Sequence, residues 1–173
     1  QYARDCKILS IWDGTTYIQS IDLVQSKLKL AAGSAFTRWI EEIREFIATT
    51  SVAQGLQKEC AVLTEAANAV CKFGEKFSRD FTGEKGDLMP LSSVRFLDCC
   101  GELAISHLLL EQADIALRKL PAVKADHPDH AFYRGKTETA RFFVMNILPN
   151  VFGRLRAVDM EDMSAVAISD EWM

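Results

Sequence analysis

A carboxylate on a turn just ahead of a helix can be aimed into a cleft, and Asp13-Gly14-Thr15-Thr16 has that form. The amides and hydroxyls of the turn that follows would face a bound anionic group. Set in an apolar cleft, such a carboxylate suits removal of a weakly acidic proton. The same residues also make an ordinary turn and helix cap, so both readings stand at this point. Other chemistry-bearing residues are less organised. His127 and His130 frame Pro128-Asp129, but no third ligand is marked and Pro128 points to a loop, so solvated histidines are expected and no metal site is assigned. His107 lies in an apolar run and reads as a hydrogen-bonded core residue. Cys99 and Cys100 are adjacent on a helix and read as core or groove filler. Lys136, Arg141, Arg154 and Arg156 read as a solvated or ion-paired face, and Phe132, Phe142, Phe143 and Phe152 as core packing.

The elements that must position these residues are punctuated by Pro and Gly. After the Asp13 turn a helix is expected from Thr16 or Tyr17, with Ile18, Ile21, Leu23, Val24 and Leu28 at helical spacing. Ala32-Gly33-Ser34 interrupts it, and Ser34 can cap a second helix carrying Phe36, Trp39, Ile40, Ile43, Phe46 and Ile47 on one face, opposite Glu41, Glu42, Arg44 and Glu45. A third run holds Leu56, Cys60, Leu63, Ala67, Val70, Cys71, Phe73 and Phe77 before the polar loop Thr82 to Asp87. Pro90 sits in the first turn of a fourth, which includes Phe96, Leu97, Cys100, Leu103, His107, Leu108 and Leu110 and which Pro121 stops. A fifth begins after Asp126-His127-Pro128-Asp129, and Pro149 bends or ends it. No segment alternates with the period of a strand. The expected fold is all-α: an up-and-down antiparallel helical bundle with a short N-terminal loop and helix.

Composition narrows the function classes. The 173 residues suffice for one domain, and 49% apolar with 25% charged residues describes an ordinary globular chain. A net charge of −4 and a pI near 5.4 lack the basic footprint of a nucleic-acid binder or a protein of anionic membrane surfaces. No apolar run is long enough to span a bilayer. Five cysteines without a CxxC pair suggest neither a disulfide framework nor a zinc site, and a reducing, cytoplasmic setting is expected. The chain shows no basic leader, and because it opens on Gln1, a cut end is expected.

Arg4-Asp5-Cys6-Lys7-Ile8 followed by IWDGTTYIQSIDLV resembles the acyl-CoA dehydrogenase family near the end of its catalytic C-terminal helical domain, which usually reads RDAKI and then YEGTxxIQ. YRGKTETARFFVMNILP, residues 133 to 149, is similar to the extra helical region of a larger subgroup. The resemblance implies flavin-dependent removal of a proton and a hydride from adjacent carbons of an acyl-CoA thioester. It implies Asp13 as the base, Gly14 and Trp12 against the substrate, and Thr15, Thr16 and Tyr17 toward FAD. An electron-transfer flavoprotein would be the electron acceptor.

Two residues depart from the family pattern. Asp13 stands for glutamate, which draws the carboxylate back by on the order of 1.5 Å, enough to cost ~100-fold unless backbone or substrate moves to meet it. Trp12 stands for tyrosine and keeps an aromatic wall without the hydroxyl. A different substrate shape or site of proton removal is the corresponding hypothesis.

The domain reading divides the chain into 1–30, a remnant of the catalytic domain, and 31–173, an appended helical bundle. The parent would carry FAD. The fragment itself is expected to be structural, inactive alone and free of cofactor, with a homo-oligomer favoured by apolar surface around Ile18, Ile21 and Val24. The alternative is a free-standing helical interaction module in which the Asp13 turn is only a cap. Upstream flavin-binding sequence in the reading frame would favour the first, and an initiator Met near Gln1 the second.

Overall fold

The computed structural model describes residues 1–7, 16–50 and 55–172, and every regular element among them is helical. Seven α-helices follow in order: α1 (Tyr2–Lys7), α2 (Thr16–Gln25), α3 (Ser34–Thr50), α4 (Gln57–Arg79), α5 (Leu88–Lys119), α6 (Pro128–Asn146) and α7 (Asn150–Asp159). The long α5 is the spine, packed against α2, α3, α4, α6 and α7. At about 1.5 Å per residue its 32 residues run for roughly 48 Å, enough for the shorter helices to share it. The expected all-α bundle is the observed architecture.

Local chemistry accounts for the boundaries. Glu59 in the first turn of α4, with Lys76 and Arg79 in its last, complements the helix dipole. The turn into α3 passes through three left-handed residues, Ala31 (φ 51°), Ala32 (φ 57°) and Gly33 (φ 87°), of which only glycine adopts that region freely. Ser34 is the first residue of α3, and its hydroxyl donates back to the Ala31 carbonyl at 2.8 Å. This differs from the expected cap, in which the oxygen would accept from a helix amide. Pro128 also differs from expectation: it opens α6 instead of making a loop, because the first helical position needs no amide hydrogen. Pro149 separates α6 from α7.

The core is one continuous cluster reaching from Val24 on α2, and Leu28 just beyond it, to Val158 on α7. Its centre is aromatic. Phe96 of α5 lies edge-on to Phe73 at 5.1 Å between ring centroids and 5.0 Å from Phe77, and Phe36 of α3 joins at 6.1 Å. Gly74 admits that last ring, since a Cβ there would stand 2.8 Å from Phe36 Cε1. Charged pairs fasten α7 to the spine and to α4: Arg154 reaches Glu102 at 2.7 Å, and Lys76 reaches Asp159 at 2.8 Å.

Several side chains sit elsewhere than their spacing suggests. Leu108 is exposed, and Phe132 and Phe142, read from sequence as core, are 58% and 61% exposed. Phe143 and Phe152 are half-buried. On α6 the buried stripe is Thr137, Ala140 and Val144, which leaves Phe132 and Phe142 on the far side of the helix.

Candidate functional site

Asp13, Gly14, Trp12 and Thr15 lie outside the described residues. The helix on which that turn would rest is described in full. It begins at Thr16, as the sequence suggests, and both Thr16 and Tyr17 are exposed at its start. One turn on, Ser20 is fully buried; its hydroxyl lies 2.7 Å from the Tyr17 carbonyl, to which it donates, and 2.9 Å from the hydroxyl of Ser93 on α5. Ser93 in turn donates to the Pro90 carbonyl at 3.0 Å. The two hydroxyls have two protons for three contacts, so the Ser20–Ser93 hydrogen bond between α2 and the spine forms when one of them turns its proton from its own carbonyl to the other serine. Val24, 1% exposed, and Leu28, 7% exposed, continue the same face into the core.

This anchor was the part that apolar periodicity missed. Ile18 and Ile21 draw attention to one side of α2, yet Ile18 is 57% exposed, while the buried residues of the helix are Ser20 and Val24, four apart, with Leu28 buried just beyond its end. Val24 therefore belongs to the core and not to the exposed surface expected around it. The signal was present in the spacing, but the buried stripe is headed by a serine, which a count of apolar residues passes over. The result is a rigid helix start, held against α5 by Ser20 and Ser93, one residue beyond the Asp13-Gly14-Thr15 sequence.

Of the residues that the resemblance turns toward a flavin, Thr16 and Tyr17 are described. Thr16 and Tyr17 stand on the outside of the bundle. A concavity of about 760 Å³ along the start of α3 is lined by Arg38, Glu41, Glu42 and Glu45, whose net negative charge opposes a pyrophosphate. Nor do the other candidate groups gather. His127 is the N-cap of α6, its Nδ1 accepting from the Asp129 amide at 3.1 Å, and among the described residues no three metal-ligating side chains cluster. Cys99 is fully buried, and burial pushes its thiol up to about 12, with burial raising Cys100 as well. Such thiols are poor nucleophiles.

The basic residues of α6 and α7 are largely committed to partners. Lys136 donates to Gln112 at 2.9 Å, Arg141 pairs with Glu138 at 2.9 Å and Glu59 at 3.5 Å, and Arg154 turns inward to Glu102. Burial alone would lower the Arg154 pKa, but the Glu102 hydrogen bond and charge outweigh it and raise it. His107 is largely buried on α5, its ring edge-on to Phe46 at 5.0 Å and its Nε2 3.4 Å from Glu111 Oε1. Burial lowers its pKa against the opposing pull of Glu111 and Glu42. It is a core residue whose Nε2 makes no hydrogen bond. No helix among the described residues is long and apolar enough to cross a membrane.

Residues 39–169, from within α3 to beyond α7, match a known family model, "Acetyl-CoA dehydrogenase C-terminal like". The chain belongs to that family. Two proteins named butyryl-CoA dehydrogenase, both from Syntrophomonas wolfei subsp. wolfei (strain DSM 2245B / Goettingen), are 35% and 32% identical over 99% and 98% of this chain. A broad-specificity linear acyl-CoA dehydrogenase FadE5 of Mycobacterium tuberculosis (strain ATCC 25618 / H37Rv) is 31% identical over 98% of it. The chain spans 28%, 27% and 28% of those three proteins.

Proposed function

We propose that this chain is the C-terminal portion of a flavin-dependent acyl-CoA dehydrogenase, an oxidoreductase that removes hydrogen from the α and β carbons of an acyl-CoA thioester. The observation that carries this reading is the continuity of the similarity: three proteins named as acyl-CoA dehydrogenases align over 98–99% of the chain, on both sides of the Asp13 turn. In this reading Asp13 takes the α proton, and Gly14 and Trp12 border the thioester. Thr15, Thr16 and Tyr17 belong to the flavin side, with FAD held by the remaining domains of the parent and electrons passed to an electron-transfer flavoprotein.

The pinned start of α2 supports the assignment of Asp13. A base needs a fixed position more than great strength, and a helix locked by Ser20, Ser93 and Val24 offers one. Residues 1–30 then derive from the catalytic domain and 31–173 from an appended bundle. That is a division of role, since α2 shares the single core. The bundle serves as structure and docking surface, in a cytoplasmic homo-oligomer. The isolated chain is expected to be colourless and without activity, and a flavin spectrum at near-stoichiometric amounts would overturn that.

The test is made on the whole enzyme. Asp13→Asn should reduce turnover by at least ~100-fold and abolish deuterium exchange at the substrate α carbon, with flavin content and helicity unchanged. Undiminished turnover and exchange would sink the assignment of Asp13. The free-standing interaction module is favoured by one observation, the exposed apolar face of α5 and α6, and a parent gene without upstream dehydrogenase sequence would select it.

A further inference from the structure

Beyond the end of α7 the chain turns back across the start of α5 and leaves a cleft of about 270 Å³ between them. Glu161 makes the turn in a left-handed conformation (φ 50°), and its carboxylate pairs with Lys85, just ahead of α5. One wall is the beginning of α5, which presents Leu88, Leu91, Ser92 and Arg95 on one face. The other is the end of α7 and the tail after it, from Val158 to Ala165. Leu88 and Val158, each 3% exposed, make the floor apolar. The volume lies below the ~300–1,000 Å³ of drug-sized sites, which limits an occupant to one small molecule.

Three polar groups of this cleft have bonding capacity to spare. Ser92 is 3% exposed, and its hydroxyl has no hydrogen-bond partner among the described residues. It is not sealed off as the Ser106 hydroxyl is, so it opens on the cleft that it lines. A buried hydroxyl left in this state costs stability until something binds it. Arg95, one turn further on, gives one terminal nitrogen to the Leu91 carbonyl at 3.0 Å. That bond draws the guanidinium back toward Ser92 and leaves its other N–H groups for a carboxylate, yet Arg95 has no acidic partner among the described residues. Asp162 carries the opposite charge. Its two oxygens accept from the amide of Ser164 at 3.1 Å and from its hydroxyl at 2.7 Å. These bonds hold its pKa below the ordinary carboxylate value and leave lone pairs for a further donor.

We propose that this cleft binds an aliphatic α-amino acid, its carboxylate on Arg95 and the Ser92 hydroxyl, its ammonium on Asp162 and its side chain over Leu88, Leu91 and Val158. Arg95 and Asp162 line one cleft without pairing with each other, each tied by a hydrogen bond of its own. That arrangement decides the class of ligand. A simple carboxylate would be opposed by Asp162 and a simple amine by Arg95, whereas a zwitterion satisfies both. Glu161 adds no net charge, because Lys85 neutralises it. The site lies outside the Asp13 turn, and the proposal does not depend on the role assigned to Asp13.

The probe is L-leucine, titrated into the chain up to ~20 mM and followed by amide NMR. Saturable shifts are expected at Ser92, Arg95 and Ala165. Isocaproate, which lacks the ammonium, and isoamylamine, which lacks the carboxylate, should each bind at least tenfold more weakly. Arg95→Gln and Asp162→Asn should each weaken leucine binding at least tenfold; both positions are exposed, so helicity by circular dichroism should be retained. Ser92→Ala should also weaken binding while leaving the urea midpoint of the unliganded chain unchanged or higher, since that hydroxyl contributes no bond to the fold. The absence of saturable shifts with leucine would overturn the proposal, and so would binding that survives Arg95→Gln. Isocaproate binding as tightly as leucine would make the cleft a carboxylate site and overturn the assignment of a zwitterion.

Discussion

Phe96 and Phe142 are the same side chain on neighbouring helices of one bundle, yet Phe96 has no exposed surface and Phe142 keeps 61% of its own. Phe96 meets three rings, from α3 and α4, and removing water from it contributes about 1.5–3 kcal/mol. Phe142 has no ring neighbour among the described residues and gains little from folding. The pair teaches that an aromatic on a helix stabilises this fold only where a second helix arrives to cover it. Where none arrives, the residue is available for a partner.

The contrast is sharpest on truncation. Phe96→Ala should lower unfolding stability by ~3–5 kcal/mol, read from urea midpoints. Phe142→Ala, measured at dilutions where the chain is monomeric, should stay within ~0.5 kcal/mol. Equal losses at the two sites would mean that Phe142 is covered in solution by something within the same chain.

A smaller effect is expected at the junction of α5 and α7. Arg154→Leu leaves the Glu102 carboxylate unpaired in a side chain only 15% exposed, and should cost ~1–3 kcal/mol, with faster amide exchange along α7. An unchanged exchange pattern would show that apolar packing of Val151 and Val158, with the Lys76–Asp159 pair, is enough to hold α7 in place.

The smallest effect is that of pH at the α3–α5 contact. The folded-state pKa of His107 is lowered from 6.5, chiefly by burial, so the folded chain binds fewer protons there than the unfolded chain. The stability this group contributes is full above pH 6.5 and is lost as pH falls through the folded value. Glu111 on α5 and Glu42 on α3 both favour the charged ring and limit the loss. His107→Phe should flatten this part of the profile between pH 7 and 5, as followed by urea midpoints, and an unaltered slope would assign the acid sensitivity to other groups.

Most of the helices were legible because their apolar residues recur at helical steps and their ends carry Pro, Gly or hydroxyl residues. Ile40 and Ile43 on α3, Leu63, Val70 and Phe73 on α4, and Leu103 and Leu110 on α5 are buried as their spacing implied. The errors share one cause. Periodicity reports that a helix has an apolar side, but it does not report how many neighbours that helix has. On α2 the spine approached the side headed by a serine; on α5 and α6 apolar residues lie on more sides than neighbouring helices cover. The candidate site was legible as a motif, Asp13-Gly14-Thr15-Thr16, and its scaffold was not, because the Ser20–Ser93 contact joins residues 73 positions apart.

What composition and spacing determined was local: where most of the helices lie, that the chain has enough apolar residues for one core, and which short segment could carry a base. Those properties follow from the dihedral and hydrogen-bonding preferences of neighbouring residues. Tertiary structure decided which face of each helix is inside, which arginine turns inward to Glu102, and which phenylalanines remain in water. Burial is a property of pairs of distant elements, and an aromatic residue carries no mark of whether its partner lies in its own chain or in another.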